Sequence, residues 1–343
     1  MSKNLYFCLT IVLAFAFLSS CKKSDDETTE TPKPLFYVPD GFPAPSGQLQ
    51  NNPVTTAGFA LGRKLFYDPI LSKDSTVNCG TCHQQFGAFA QVDHKVSHGI
   101  NNLLGTRNSP TLINLAWHSE FFWDGGSNHI EVQPIGPITN PVEMDETLNG
   151  VIAKLNRSTF YPSMFRSAYG TDTITSQGIL RALSQFMSCL ISANSKYDQV
   201  RNGQATFTAT EDSGYTIFKS KCESCHKEPL LTDLSYRNNG LDAHFTDPGR
   251  ARITTLAADS GKFKVPTLRN IVLSYPYMHD GRLGSLSKVI DHYRSTIVQS
   301  STIDPLLSSG NMAISDAEKA QLIAFLNTLT DQTFITDKRF SAQ

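Results

Sequence analysis

The sequence sustains no alternation of apolar and polar residues, and no glycine-rich turn links a strand pattern to a helix pattern. The first absence argues against a sheet as the core, the second against a nucleotide-binding fold built on backbone contacts to phosphate. Charge of one sign is also missing: Lys and Arg number 30, Asp and Glu 31, for a formal net charge of −1. Without a broad basic surface, nucleic acid is not expected as a partner, although a local docking patch stays open. The apolar run Leu9 to Leu18 is about half the ~20 residues that a membrane-spanning helix needs.

What is present begins with that short run. Lys3 supplies a positive end, Ser19-Ser20 a small-residue boundary, and Leu18-Ser19-Ser20-Cys21 resembles a bacterial lipobox. Residues 1–20 are therefore expected to be an export signal, with Cys21 lipidated after cleavage and the lipid as the only hold on a membrane. Residues 21–45 are polar, acidic and proline-bearing and are expected to form a solvated tether.

Cysteine is scarce once its uses are counted. Of seven, Cys8 lies in the signal, Cys21 is the lipid site, and Cys189 sits in the apolar pattern of a helix as a small buried hydrophobe. The other four form Cys79-Gly80-Thr81-Cys82-His83 and Cys222-Glu223-Ser224-Cys225-His226. Cys-x-x-Cys-His is the attachment signature of c-type haem: both thiols form thioethers to the vinyl groups and the histidine becomes the proximal iron ligand. Zinc held by two Cys-x-x-Cys pairs is the rival, but it suits an exported chain poorly and leaves His83 and His226 idle. Covalent haem and export agree, since this haem is attached outside the cytoplasm.

At 343 residues and 40% hydrophobic content, the chain is long enough for two domains, one for each motif, with Asn202-Gly203 at the junction. The expected fold is mainly α: two cytochrome c-like haem domains with long loops, at 46–202 and 203–343. Apolar periodicity predicts helices at Thr56 to Tyr67, from Leu148, from Thr175, from about Glu211 and from Leu286 to Arg294, and a last one opened by the capping box Ser315/Glu318. Between them, Gly87 to Arg107 and Phe122 to Met144 read as long loops, which in a compact domain are usually functional. His98 and His94 are candidates for the far face of the first haem, and Met278, His279, His292 and Tyr293 for that of the second; spacing alone does not choose.

The sequence resembles the bacterial dihaem cytochrome c peroxidases and their MauG-type relatives. The resemblance runs from about Leu61 to His292. Its carriers are the two haem motifs, Ser97-His98-Gly99, Arg107-Asn108-Ser109-Pro110, Phe122-Trp123-Asp124-Gly125, Gln133, Pro137, Glu143-Met144, Pro266-Thr267-Leu268-Arg269-Asn270 and Pro276-Tyr277-Met278-His279-Asp280-Gly281. It implies a cytochrome-c peroxidase in the periplasm, with hydrogen peroxide reacting at the N-terminal haem. Glu143 would be the acid-base group, Gln133 its neighbour, and Trp123 the ring between the haems. Electrons would come from a small cytochrome c or a cupredoxin. The resemblance also implies one calcium ion on Asn108 and the carbonyls of Ser274 and Pro276, and makes His98 a gating ligand of the first iron. A homodimer stays open.

Two departures qualify the resemblance. Gly126 stands where the family usually has arginine, and Tyr293 stands where the peroxidases have a methionine ligand and the MauG-type relatives a tyrosine. Tyrosinate is a hard anionic donor that favours oxidised iron, so the second haem is expected to store an electron less readily. This keeps a MauG-type oxidase of a protein or organic substrate as the second expectation. A dihaem electron carrier, the third, would leave Glu143 and Gln133 without a task.

Overall fold

A computed structural model describes residues 34–343. The expected signal 1–20, the lipid site Cys21 and the first part of the tether lie outside the described residues. Helix dominates: α1 (Thr56–Tyr67), α2 (Leu148–Arg157), α3 (Tyr161–Tyr169), α4 (Ser176–Ser188), α5 (Ala209–Lys221), α6 (Leu286–Ser295) and α7 (Asp316–Asn327), with shorter turns between them. Among the described residues the one sheet is a two-residue antiparallel pair, β1 (Tyr236–Arg237) and β2 (Phe263–Lys264). No described helix is long and apolar enough to cross a membrane.

Local chemistry explains the helix ends. Thr55, Thr147 and Thr175 each accept a backbone N–H from the first turn of α1, α2 and α4. Ser315 and Glu318 close the expected capping box on α7, and Thr208 with Glu211 closes another on α5. Such caps satisfy donors that the helix itself cannot. Asp68 ends α1 and caps the short turn that Pro69 starts.

Two helix pairs carry the packing. Helix α1 lies on α4 and α5 on α7, each through a glycine: a Cβ on Gly62 would stand 1.9 Å from the Ala182 carbonyl oxygen, and one on Gly214 would stand 2.0 Å from that of Gln321. Only a residue without a side chain permits backbones that close. The first pair belongs to an apolar cluster including Leu61, Leu65, Phe66, Phe89, Leu183 and Phe186. The second belongs to one including Tyr197, Phe218, Leu231, Leu322 and Phe325. Full burial of each large side chain contributes roughly 1.5–3 kcal/mol.

Two features depart from a simple linear division. Phe334 and Phe340, near the C-terminus, pack in the first cluster. Packing also begins earlier than a tether ending at residue 45 would allow: Leu35 and Phe36 touch the core, and Phe36 and Phe42 lie against Trp117. The reason is composition, because Leu35, Phe36, Tyr37 and Phe42 offer apolar area that the acidic residues before them lack.

Candidate haem cavity

The first motif is a single helical turn, Cys79–Cys82, following α1. Asn78 caps it in a reciprocal box with Thr81, and the Asn78 amide donates to the Tyr67 carbonyl at 2.9 Å, tying the motif to the end of α1. The chain then turns back through Ala88 and Phe89, both at positive φ, so that the Phe89 carbonyl accepts from His83 Nδ1 at 2.8 Å. That bond fixes the tautomer and leaves Nε2 free to ligate a metal. Burial pushes the imidazole down to about 4, so it stays neutral, as an iron ligand must.

The second motif repeats the device with different residues. Nδ1 of His226 donates to the Pro266 carbonyl at 3.1 Å and lies 3.4 Å from that of Leu231. Pro266 is held by its neighbours: Arg269 is 1% exposed and bonds Asp198 in a fork at 2.8 and 2.9 Å. The thiols lack the lowered pKa of a reactive redox pair. Burial pushes Cys79 and Cys222 up to about 12 and Cys82 to about 11.

Cys82, His83, Cys222, Cys225 and His226 all line one cavity of about 1190 Å³. This exceeds the ~300–1,000 Å³ of an ordinary small-molecule pocket. A large, mostly apolar chamber, two imidazoles with Nε2 free and four thiols in attachment spacing fit two covalently bound haems. The same cavity is lined by Gln133, Glu143, Trp123, Asn108, Ser274, Pro276 and Tyr293, so almost every residue singled out from the sequence faces it; Cys79 and His98 are not among the lining residues.

Glu143 is half-buried. Burial raises its pKa, partly offset by the Asn140 amide, which donates to Oε1 at 2.8 Å. The Asn140 side chain also accepts from Val142 N at 3.2 Å, making the turn that aims the carboxyl. Gly99 explains why the preceding loop can support it: a Cβ there would stand 2.1 Å from the Val142 carbonyl oxygen and 2.4 Å from that of Glu143. Ile100 N donates to the same Glu143 carbonyl at 2.8 Å. Sequence reasoning passed over Asn140, although an asparagine three residues before an acid in a proline-bounded turn is a readable signal.

Trp123 stands where the two motif segments meet. Its indole N–H donates to the Asn108 carbonyl at 2.8 Å, its own carbonyl accepts from Lys264 N at 2.8 Å, and Asn108 N donates to the His279 carbonyl at 2.7 Å. Arg107 fastens the same region, bonding Asp124 at 2.6 Å and Asp247 in a fork at 2.6 and 2.8 Å. Beside Gly125 and Gly126, where a family arginine is absent, Arg250 reaches in from a distant turn and donates to the Asp124 carbonyl at 2.9 Å.

The open choices among ligands narrow. Both ring nitrogens of His292 are engaged, Nδ1 with Thr296 Oγ1 and Nε2 with the Asn239 carbonyl, each at 3.0 Å. Met278, His279 and Tyr293 line the cavity. The His279 ring lies flat on Phe263, with centroids 3.7 Å apart, and the Asn239 amide donates to Met278 Sδ at 3.4 Å. Burial pushes the Tyr293 phenol up to about 12, a hydroxyl that stays protonated at neutral pH without a metal to take its oxygen. On the first side, the His98 ring meets that of His94 edge to face, with centroids 4.6 Å apart. Its segment is held by backbone pairing with Leu104 and Arg107.

For a calcium ion the fit is of another kind. The Asn108 amide donates to the carbonyls of His94 and Lys95, each at 3.2 Å, which turns its oxygen away from them. Asn108, Ser274 and Pro276 share the cavity wall. Among the described residues no cluster of three His, Cys, Asp or Glu could hold a metal, so any such site would rest on amide and carbonyl oxygens.

Comparison with known proteins agrees with this chemistry. Residues 56–206 match the di-haem cytochrome c peroxidase family. The chain is 35% identical over 306 residues to the methylamine utilization protein MauG of Methylorubrum extorquens, covering 87% of this chain and 84% of that one. It is 32% identical over 280 residues to the cytochrome c551 peroxidase of Nitrosomonas europaea, covering 79% of each. Among solved structures, a MauG-like protein associated with microbial copper homeostasis superposes with a TM-score of 0.82 at 31% identity, over 89% of this chain and 98% of that one. Sequence, cavity and relatives converge: the chain belongs to the di-haem cytochrome c peroxidase/MauG family of oxidoreductases, which implies two c-type haems.

Proposed function

We propose that this protein is a periplasmic dihaem peroxidase that reduces hydrogen peroxide to water with electrons from a small cytochrome c or a cupredoxin. The observation that carries this reading is a carboxyl group with raised proton affinity, Glu143, lining the same cavity as the free Nε2 of His83. Bound haem would supply the redox chemistry and the site that peroxide occupies. The chain's own part is proton handling and exclusion. The Glu143 carboxylate takes a proton from the nearer peroxide oxygen and returns it to the leaving one, so the carboxylate is restored each turn. The Gln133 amide orients the peroxide, Asn140 holds the carboxyl in place, and the apolar wall of Phe122, Gly136 and Pro137 keeps bulk water out. Trp123 carries electrons from the side of Cys222, Cys225 and His226. Glu143→Ala tests this reading: unchanged peroxide turnover in a protein retaining both haems would sink it.

Tyr293 favours a second reading. A phenol on the wall of the second site suits a MauG-type oxidase that draws electrons from a protein or organic substrate. The two part in one assay. A peroxidase consumes peroxide faster when a reduced cytochrome or cupredoxin is supplied, whereas the oxidase is accelerated by the organic donor and not by the electron carrier. On either reading we also infer residues 1–20 as signal, Cys21 as lipid anchor, and a calcium ion on Asn108 with Ser274 and Pro276. Radiolabelled fatty acid would follow Cys21, and a Cys21→Ala protein should not take it up.

A further inference from the structure

One cation in the cavity has no task in the site described above. Lys264 is 8% exposed; its Nζ donates to the Glu120 backbone carbonyl and stands 5.9 Å from the ring centroids of both Phe121 and Tyr236. The acids around it are engaged elsewhere. Glu120 accepts from Arg250 Nη2 at 2.8 Å and from the Tyr236 hydroxyl at 2.9 Å, while Asp124 accepts from Arg107 Nη1 at 2.6 Å and Gly126 N at 3.0 Å. Their field tempers the cost of burying Lys264 without touching it, and burial still pushes the ammonium down to about 8. Among the described residues Lys264 forms no ion pair. A buried charge with no counter-ion is costly unless a partner is supplied from elsewhere.

His118 shares that wall. Its ring lies nearly parallel to Phe121 at 6.2 Å and makes no hydrogen bond among the described residues. Burial, and then Lys264, keep it neutral at about 3, so it presents one N–H and no charge. An ammonium and an unused N–H on one apolar wall match a carboxylate.

We propose that Lys264, with the His118 N–H beside it, is the recognition site for a carboxylate of the bound prosthetic group, a propionate of one of the two haems. This rests on the reading of the cavity as a dihaem chamber. The pair would neutralise the propionate where it is out of reach of solvent and raise the potential of that haem, since an unpaired carboxylate stabilises ferric iron.

The test compares wild type with Lys264→Gln, which keeps a donor for the Glu120 carbonyl but no charge, and Lys264→Arg, which restores charge. Covalent haem is counted by intact mass, the two potentials are taken by spectroelectrochemistry, and the propionate bending bands by resonance Raman. The Gln variant should carry both haems, lower the potential of one and leave the other in place, and shift one propionate band; Arg should recover most of both changes. His118→Phe keeps the ring contact and removes the N–H. It should shift the same band by less, and keeps the test open if the Gln protein does not accumulate. Unchanged potentials and bands in variants carrying two haems would overturn the assignment. A wild type without haem would instead overturn the reading of the cavity itself.

Discussion

The two motif regions solve one problem in the same way and then part. In each, a proximal histidine donates Nδ1–H to a backbone carbonyl, Phe89 for His83 and Pro266 for His226, and each motif follows a helix that crosses another at a glycine. Near the first motif the cavity carries an acid, Glu143, with two amides, Gln133 and Asn140, in the same chain segment; near the second the candidates are a phenol, a thioether and a stacked imidazole, Tyr293, Met278 and His279. Like scaffolds thus present different far faces. Proton-handling groups suit a site that takes in a small oxidant, and soft or hard ligands suit one that fills its own coordination sphere. On the proposed reading, peroxide chemistry belongs to the first region and electron storage to the second.

That contrast can be broken, and the largest expected effect is at the acid. Glu143→Ala should cut peroxide turnover by about 100-fold or more, the range for losing a general acid-base group, with intact mass showing both haems still attached. Gly99→Ala comes next. The added methyl would push the Glu143 backbone, so turnover should fall by up to about 100-fold, as for a catalytic group displaced by ~1 Å, while the spectrum of the second haem stays as it was. On the other side, Tyr293→Met exchanges an anionic for a neutral donor and should raise the potential of the haem on Cys222 and Cys225 alone; equal movement of both potentials would erase the distinction between the regions.

Smaller effects sharpen it. Asn140→Ala removes the hydrogen bond that lowers the Glu143 pKa, leaving burial unopposed. If turnover needs the carboxylate, its acid limb already lies above the ordinary glutamate range and should move to still higher pH, with the plateau reduced by about 3-fold as befits a positioning residue. His98→Ala should change least: the ferric spectrum of the first haem should match wild type, because the His98 ring rests on His94. A new high-spin signal in that variant would restore His98 as a ligand.

The legible parts of this protein were local ones. Helix α1 spans the residues its apolar spacing predicts, and the Ser315/Glu318 box opens α7, since both depend on residues within a turn or two of each other. Asn140 escaped notice because its partner's importance, not its own spacing, gives it a role. Lys264 escaped for a stronger reason: its isolation arises only when Arg250 and Arg107, from segments far apart in the chain, have taken Glu120 and Asp124. Nor could composition show that Phe36 and Phe42 would meet Trp117.

By itself the sequence settled the covalent chemistry, because Cys-x-x-Cys-His needs only neighbours to define it, and it settled a helical framework, because period and caps are short-range. It did not choose among Met278, His279, His292 and Tyr293, each chemically able to bind iron. Tertiary structure removed His292 by engaging both its nitrogens with Thr296 and Asn239. It also set the His98 ring against that of His94 and brought Glu143, Gln133 and Trp123 to one cavity. The physical reason is that which partners a side chain meets, and which space it faces, depends on residues far away in the chain.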